Sequence, residues 1–186
     1  MTPRISRGVF LCRACSDQPR RLARGDANTD NRGLSVFITA EPFDSRDAQR
    51  LIAALDAGLA ELYSPDQRFG PNLKPHHLDD GRGTFLVARD NGRAVGCGAI
   101  RLIGAETAEV KRMYVEPDRR GTGIARAVLV SLEAAARKIG ARRLVLETGI
   151  HSPEALRLYR GAGFTPIDCW GEYATSPTSV CMEKIL

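Results

Sequence analysis

A three-layer α/β domain, its mixed and mostly antiparallel central sheet flanked by helices, is the fold class this sequence predicts. Two observations carry that expectation. Along the 186 residues, apolar periodicity orders the chain as strand, helix, several strands, helix, strand, helix and further strands. The strand-like runs between Thr84 and Val115 follow one another with no helix between them, separated by turn signals at Asn91-Gly92 and Gly104, which calls for antiparallel pairing. A hydrophobic content of 43% and a charged content of 26% are those of a soluble globular chain.

Residues 1–33 read as a basic tail and residues 34–186 as one domain. The tail holds seven arginines against three aspartates and so carries +4 of the chain's +5. It has few bulky apolar residues and no periodicity, a composition expected to stay disordered. It lacks the interleaved aromatics of a nucleic-acid arm and its aspartates dilute its charge, so no nucleic-acid partner is expected. No apolar run approaches the roughly 18 residues that span a bilayer, and Val9-Phe10-Leu11-Cys12 is too short for a secretory leader core. A cytoplasmic protein with no membrane contact is the expectation. Cys12-Arg13-Ala14-Cys15 has zinc-like spacing but no second ligand pair. Cys97, Cys169 and Cys181 stand singly in strand-like runs and read as buried thiols, so neither a metal nor a disulfide is expected.

The domain opens on a strand over residues 34–39. Ser45 caps a helix whose apolar positions include Leu51, Leu55, Leu59 and Leu62. Residues 63–83 are rich in Pro, Gly, Asp and His and read as a loop that covers a pocket. Strands follow over 84–89, 94–103 and 106–115. Ile124, Val128, Leu132, Ala135 and Ile139 fall on one face of the next helix, with Glu133 and Arg137 as a supporting pair and Gly140 as the stop. A short apolar strand over 144–147 leads through Thr148-Gly149 to Ser152-Pro153, an N-cap followed by proline at the first helical position. Ala155, Leu158, Tyr159 and Ala162 share a face of that helix, Gly163 ends it, and strands at 164–170 and 179–186 complete the domain.

The chemistry centres on Arg120-Gly121-Thr122-Gly123-Ile124-Ala125, a glycine-bearing turn between a strand and a helix. Such a turn leaves several backbone N–H groups unpaired at the positive end of the helix dipole, a place for a phosphate or pyrophosphate. A nucleotide-triphosphate loop would end in Gly-Lys-Ser/Thr, whereas Ile124-Ala125-Arg126 stands here. A dinucleotide fingerprint would follow the first strand of a parallel unit, whereas this turn comes mid-chain after a hairpin. A turn that binds nothing is the bland alternative.

From Arg101 to Ile185 the chain resembles the GNAT superfamily of N-acetyltransferases. Its pyrophosphate signature, Arg/Gln-x-x-Gly-x-Gly/Ala, is met at every fixed position by Arg120, Gly123 and Ala125. Ala155-Leu156-Arg157-Leu158-Tyr159 with Gly161-Ala162-Gly163-Phe164 is similar to the superfamily's helix-to-strand segment, and residues 108–115 and 146–149 look like one bacterial branch of it. The resemblance implies the GNAT fold and acetyl-CoA as cofactor. It implies that the backbone N–H groups of Arg120, Gly121, Thr122, Gly123, Ile124, Ala125 and Arg126 receive the pyrophosphate. It further implies a strand splayed from its neighbour, with the pantetheine arm on the backbone of Met113, Tyr114 and Val115. Tyr159 matches the family's general acid for the leaving thiolate, against the bland reading of a core aromatic. Glu109 matches a glutamate used as general base in some members; Glu147 and His151 compete for that role, as does water alone. Simple alternation puts Glu109, Lys111, Met113 and Val115 on one strand face, with Arg112 and Tyr114 on the other. Ser152 stands where many members carry a cofactor-contacting asparagine.

The acceptor is expected to be the primary amine of a small metabolite, taken by direct transfer in a ternary complex. Tyr63, Arg112 and His151 are its candidate contacts, with His76 and His77 read more plainly as loop surface. Lys111 or Arg112 facing the cleft would favour an acceptor that carries a carboxylate or phosphate. A protein lysine or N-terminus as acceptor, and a non-catalytic acyl-CoA-binding module, are the competing readings. A homodimer is compatible with the sequence but not specified by it.

Overall fold

The computed structural model describes residues 27–29, 35–68, 73–79 and 81–186. Eight strands form one sheet in the order β1-β2-β3-β4-β5-β6-β8-β7. They are β1 (Ala27–Thr29), β2 (Ser35–Ala40), β3 (Gly83–Asp90), β4 (Arg93–Leu102), β5 (Thr107–Val115), β6 (Arg143–Gly149), β7 (Thr165–Ile167) and β8 (Ser179–Ile185). Every neighbouring pair is antiparallel except β5 with β6. The short β1 lies inside the segment read as a tail; Cys12 and Cys15 lie outside the described residues.

Helices α1 (Arg46–Leu62), α2 (Ile124–Lys138) and α3 (Pro153–Gly161) complete three layers. Ser45 caps α1 as its sequence predicts, Oγ accepting from Ala48 N at 3.2 Å. Ala48, Leu51 and Ile52 of α1 pack with Phe85, Val87 and Cys97 on one face of the sheet. Ile124, Val128, Leu132 and Ala136 of α2, with Tyr159 of α3, pack with Val95, Val110 and Leu146 on the other. Burying side chains of this size contributes about 1.5–3 kcal/mol each, so these two apolar layers supply the drive for the fold.

Three local expectations are corrected. Glu133 does not serve a pair along its own helix: buried at 8% exposure, it accepts from Lys184 Nζ of β8 at 2.7 Å, because the turn of α2 carries it onto the sheet rather than to solvent. Cys169 and Cys181, read as separate thiols, form a disulfide. The β7–β8 ladder sets Ile167 opposite Cys181, which brings the two sulfurs together across a closure that their separation of 12 residues alone does not reveal. Third, β5 does not alternate simply to its end. Between Cys97↔Tyr114 and Ala99↔Lys111 the ladder steps two residues on β4 but three on β5, so Arg112 and Met113 together oppose Gly98. Arg112 takes φ 56°, a left-handed conformation for a non-glycine residue. The extra residue turns Met113 and Val115 into the α2-side core with Ala108 and Val110, and leaves Tyr114 on the α1 side.

Gly98 makes this bulge possible. A Cβ there would meet Met113 Sδ at 2.7 Å, Leu132 Cδ1 at 2.8 Å and Val128 Cγ1 at 3.0 Å. Gly98→Val is expected to lower stability by about 1–3 kcal/mol through overpacking, measured as a drop in the urea midpoint. A midpoint equal to wild type would show that the bulge does not depend on this close approach.

Candidate active site

Strands β5 and β6 pair only from Thr107↔Arg143 to Val110↔Leu146. Beyond Val110 they part, although β5 continues to Val115 and β6 to Gly149. The edge of residues 111–115 that would face β6 therefore has no partner strand, and an extended ligand can take the place of one. Here the structure forms the splayed opening that the resemblance implies. The bulge at Arg112 lies in the opening's wall, and the Arg112 carbonyl accepts from Cys97 Sγ at 3.3 Å. Burial pushes the Cys97 thiol up to about 12, so it remains a protonated core group rather than a nucleophile.

The glycine-bearing turn stands at the far end of β5. Gly121 and Gly123 have φ 74° and 92°, conformations a side chain rarely tolerates. The first helical backbone bond runs from Ala127 N to Gly123 O, so the N–H groups at the start of α2 have no intrahelical acceptor. No basic or acidic side chain caps them: Gly123 itself is the N-cap. Arg120 pins the turn to β5, Nε donating to Val115 O at 3.0 Å with the guanidinium 5.8 Å from the Tyr114 ring centroid. Thr122 Oγ1 donates to Arg119 O at 2.6 Å, and Arg126 Nη1 donates to Gly161 O of α3 at 3.2 Å. The side chains of Arg120 and Arg126 thus brace the turn, and its backbone presents the donors.

A cavity of about 590 Å³ lies at the inner end of the opening, between α1, β5, β6 and α3. Tyr63, Glu109, Arg112, Glu147, Ser152 and Tyr159 all line it, so all the catalytic and acceptor candidates except His151 meet in one place. His151 does not; it is exposed, its ring tilted against Tyr63 at a centroid distance of 5.4 Å. Tyr63 is buried and accepts from His151 N through its hydroxyl at 2.8 Å. The ring lies so close to Gly149 that no Cβ fits there, which accounts for the glycine of Thr148-Gly149. His76 and His77 also stand outside the cavity wall.

The two glutamates differ sharply in their engagement. Glu109 is 1% exposed and both its oxygens are occupied. Oε2 accepts from Arg101 Nε at 2.8 Å and Nη2 at 2.7 Å; Oε1 accepts from Tyr173 Oη at 3.0 Å and pairs with Lys111 Nζ at 3.4 Å. Lys111 Nζ also donates to Tyr173 Oη at 2.7 Å. Burial and the neighbouring Glu109 charge hold the Tyr173 hydroxyl well above its ordinary value, while burial lowers Lys111 against the pull of Glu109. Glu147 is half-buried and, among the described residues, accepts only from Ser179 Oγ, at 2.6 Å. Burial raises its carboxyl above the usual carboxylate range, with the Ser179 hydrogen bond and Lys111 opposing.

Tyr159 is 5% exposed, packed edge-on to Phe164 at 5.8 Å. It is a core aromatic that also lines the cavity. Burial first, and then the Glu147 charge, raise its hydroxyl above its ordinary value, so it holds its proton until a strong base approaches. Ser152 is the N-cap residue of α3 but its hydroxyl makes no capping bond and remains available to a ligand in the cavity. Tyr173, Thr178 and Arg68 complete the wall and were not foreseen; they come from a short 3-10 turn, a connector and a loop whose sequences carry no periodic signal.

Residues 51–164 match the model of the Acetyltransferase (GNAT) family, more than half of the chain. A curated relative from Azospirillum brasilense named IAA acetyltransferase is 41% identical over 138 residues, 74% of this chain and 89% of its own. Aminoglycoside N(6')-acetyltransferase type 1 of Stenotrophomonas maltophilia is 31% identical over 96 residues, 47% of this chain and 63% of its own. Among solved structures, a Klebsiella pneumoniae protein assigned as an acyl-CoA N-acyltransferase superposes with a TM-score of 0.69 at 37% identity, covering 81% of this chain and 97% of that one. A GNAT acetyltransferase from Elizabethkingia anophelis with acetyl-CoA bound shares the fold, with a TM-score of 0.59 at 20% identity over 81% of this chain and 98% of that one. The chain belongs to the acetyltransferase (GNAT) family.

Gly123→Glu sets bulk and negative charge among the unpaired N–H groups at the start of α2. Titration calorimetry with coenzyme A is expected to lose its heat of binding entirely, and retained binding would remove the turn from the site.

Proposed function

We propose that the protein is an N-acetyltransferase that moves an acetyl group from acetyl-CoA to the primary amine of a small molecule by direct transfer. One observation carries this reading: the parted strands β5 and β6 lead from a cradle of unpaired backbone donors to a cavity that holds Glu147, a carboxylate with an oxygen to spare, and the buried phenol of Tyr159. The cradle fits a pyrophosphate, since its donors are backbone groups held by two glycines of positive φ and need no side-chain ordering. The unpartnered edge of residues 111–115 suits an amide-bearing arm, which can bond to Met113, Tyr114 and Val115 as a strand would.

Bound acetyl-CoA supplies the thioester that the amine attacks. Glu147 is the general base in this reading, in place of Glu109. Its raised carboxyl sits nearer to neutrality, and it has an oxygen to spare; Glu109 has none. Glu147 takes a proton from the attacking amine, and Tyr159 gives its proton to the departing sulfur. The high pKa of Tyr159 keeps the proton in place until that charge develops. Ser152 offers a hydroxyl beside the reacting groups. A cavity of about 590 Å³ walled by Leu55, Leu59, Tyr63 and Tyr173 has the size of a small-molecule site, which supports a metabolite over a protein acceptor.

A screen of amines with a free-thiol readout tests the assignment; thiol release that no amine stimulates would refute it. Tyr159→Phe is expected to lower kcat about 10²-fold or more with coenzyme A affinity near wild type. Turnover equal to wild type would take the acid role from Tyr159. For the base, activity requires ionised Glu147, so kcat/KM should fall as pH drops through its raised pKa. Ser179→Ala removes a bond that favours the ionised form and should move that acidic limb to higher pH. Glu147→Gln should abolish the limb; a profile unchanged by both substitutions would pass the role to water.

A further inference from the structure

We infer that the acceptor is an amine that also carries a carboxylate, an amino-acid zwitterion, and that Arg68 and Lys111 hold its anionic end. The inference rests on the acetyltransferase reading and names its substrate class. It follows from which charges in the cavity are already satisfied.

Three cations, Arg68, Lys111 and Arg112, and three carboxylates, Asp56, Glu109 and Glu147, line the cavity. Arg101 stands behind Glu109 and adds a fourth cation to the same network. Most of these charges answer one another. Glu109 is held by Arg101 and Lys111, and Asp56 pairs with Arg112 at 2.6 Å. Two groups are left over. Glu147 accepts only a serine hydroxyl, and Arg68 makes no side-chain hydrogen bond or ion pair among the described residues. Lys111 has three protons to give and spends two, on Glu109 and Tyr173, so one donor remains. The cavity therefore offers an ammonium partner in Glu147 and a carboxylate partner in Arg68 with the spare Lys111 donor.

The segment that bears Arg68 is anchored rather than loose. Thr178 Oγ1 donates to the Gln67 carbonyl at 3.2 Å, and Arg68 N closes the preceding turn on Pro65 O. A guanidinium receives a carboxylate through two parallel hydrogen bonds, so the contact also fixes the orientation of the amine toward Glu147.

The test compares the common L-amino acids with their amides as acceptors, alongside 2-aminoethyl phosphate. At least one amino acid is expected to exceed its amide by about tenfold or more in kcat/KM. Arg68→Gln should raise KM for that acid about tenfold, leave its kcat within twofold, and leave KM for the amide unchanged. Arg68 is exposed on a loop, so the variant should keep its melting temperature, and calorimetry of the acid with the variant gives a second readout independent of turnover. Amides accepted as well as acids, a preference for the phosphate, or an Arg68→Gln effect equal on acid and amide would each overturn the inference while leaving the acetyltransferase reading intact. No acetylation of any amine would overturn both.

Discussion

The feature on which the rest depends is the parting of β5 from β6 after Val110, with the bulge that places Arg112 and Met113 opposite Gly98. A sheet normally satisfies both edges of a central strand. Here one edge of residues 111–115 is left open in the middle of an eight-stranded sheet. The bulge makes this tolerable. It turns Met113 and Val115 into the core beneath α2, so the strand stays anchored although it has lost a neighbour. It also separates two tasks along one strand. Glu109 and Lys111, before the bulge, serve the cavity; the residues after it serve the cleft and lead to the turn at α2.

Charge is managed with the same economy. Burying an unpaired carboxylate or ammonium costs several kcal/mol, and the buried Glu109 escapes this only because three groups hold it. Both oxygens of Glu109 are thereby taken, while Lys111 keeps one donor facing the cavity. Glu147 lies on the adjacent strand with a single hydroxyl partner, and its environment raises its pKa rather than locking its charge. Two carboxylates a strand apart are thus set in different states, one saturated with donors and one with an oxygen to spare, by the number of donors each has been given.

Much of this was legible in the sequence because it is periodic or rests on glycine and proline. The helices at Ser45, Gly123 and Ser152-Pro153, and the strands from Thr84 to Val115, follow from alternation, caps and turns. The glycine-bearing turn was readable because only glycine takes the φ values of Gly121 and Gly123 at no steric cost. What was not legible depends on non-local geometry. A one-residue bulge leaves no mark in the spacing of Glu109, Lys111 and Met113, so simple alternation misplaced Met113 and Val115. The occupancy of Glu109 depends on Arg101 from β4 and Tyr173 from a distant turn, and neither could be assigned to it beforehand. The same holds for Lys184 on Glu133 and for the Cys169–Cys181 pair, which meet only once β8 lies between β6 and β7.

In the proposed reading the open edge of β5 and the turn before α2 form one continuous binding slot for acetyl-CoA. Backbone hydrogen exchange, followed residue by residue with and without acetyl-CoA, tests it most directly. Acetyl-CoA is expected to slow exchange at residues 113–115 and at residues 121–126 together, by an amount that grows with ligand saturation. Protection confined to another face of the molecule, or none at either segment under saturating acetyl-CoA, would contradict it.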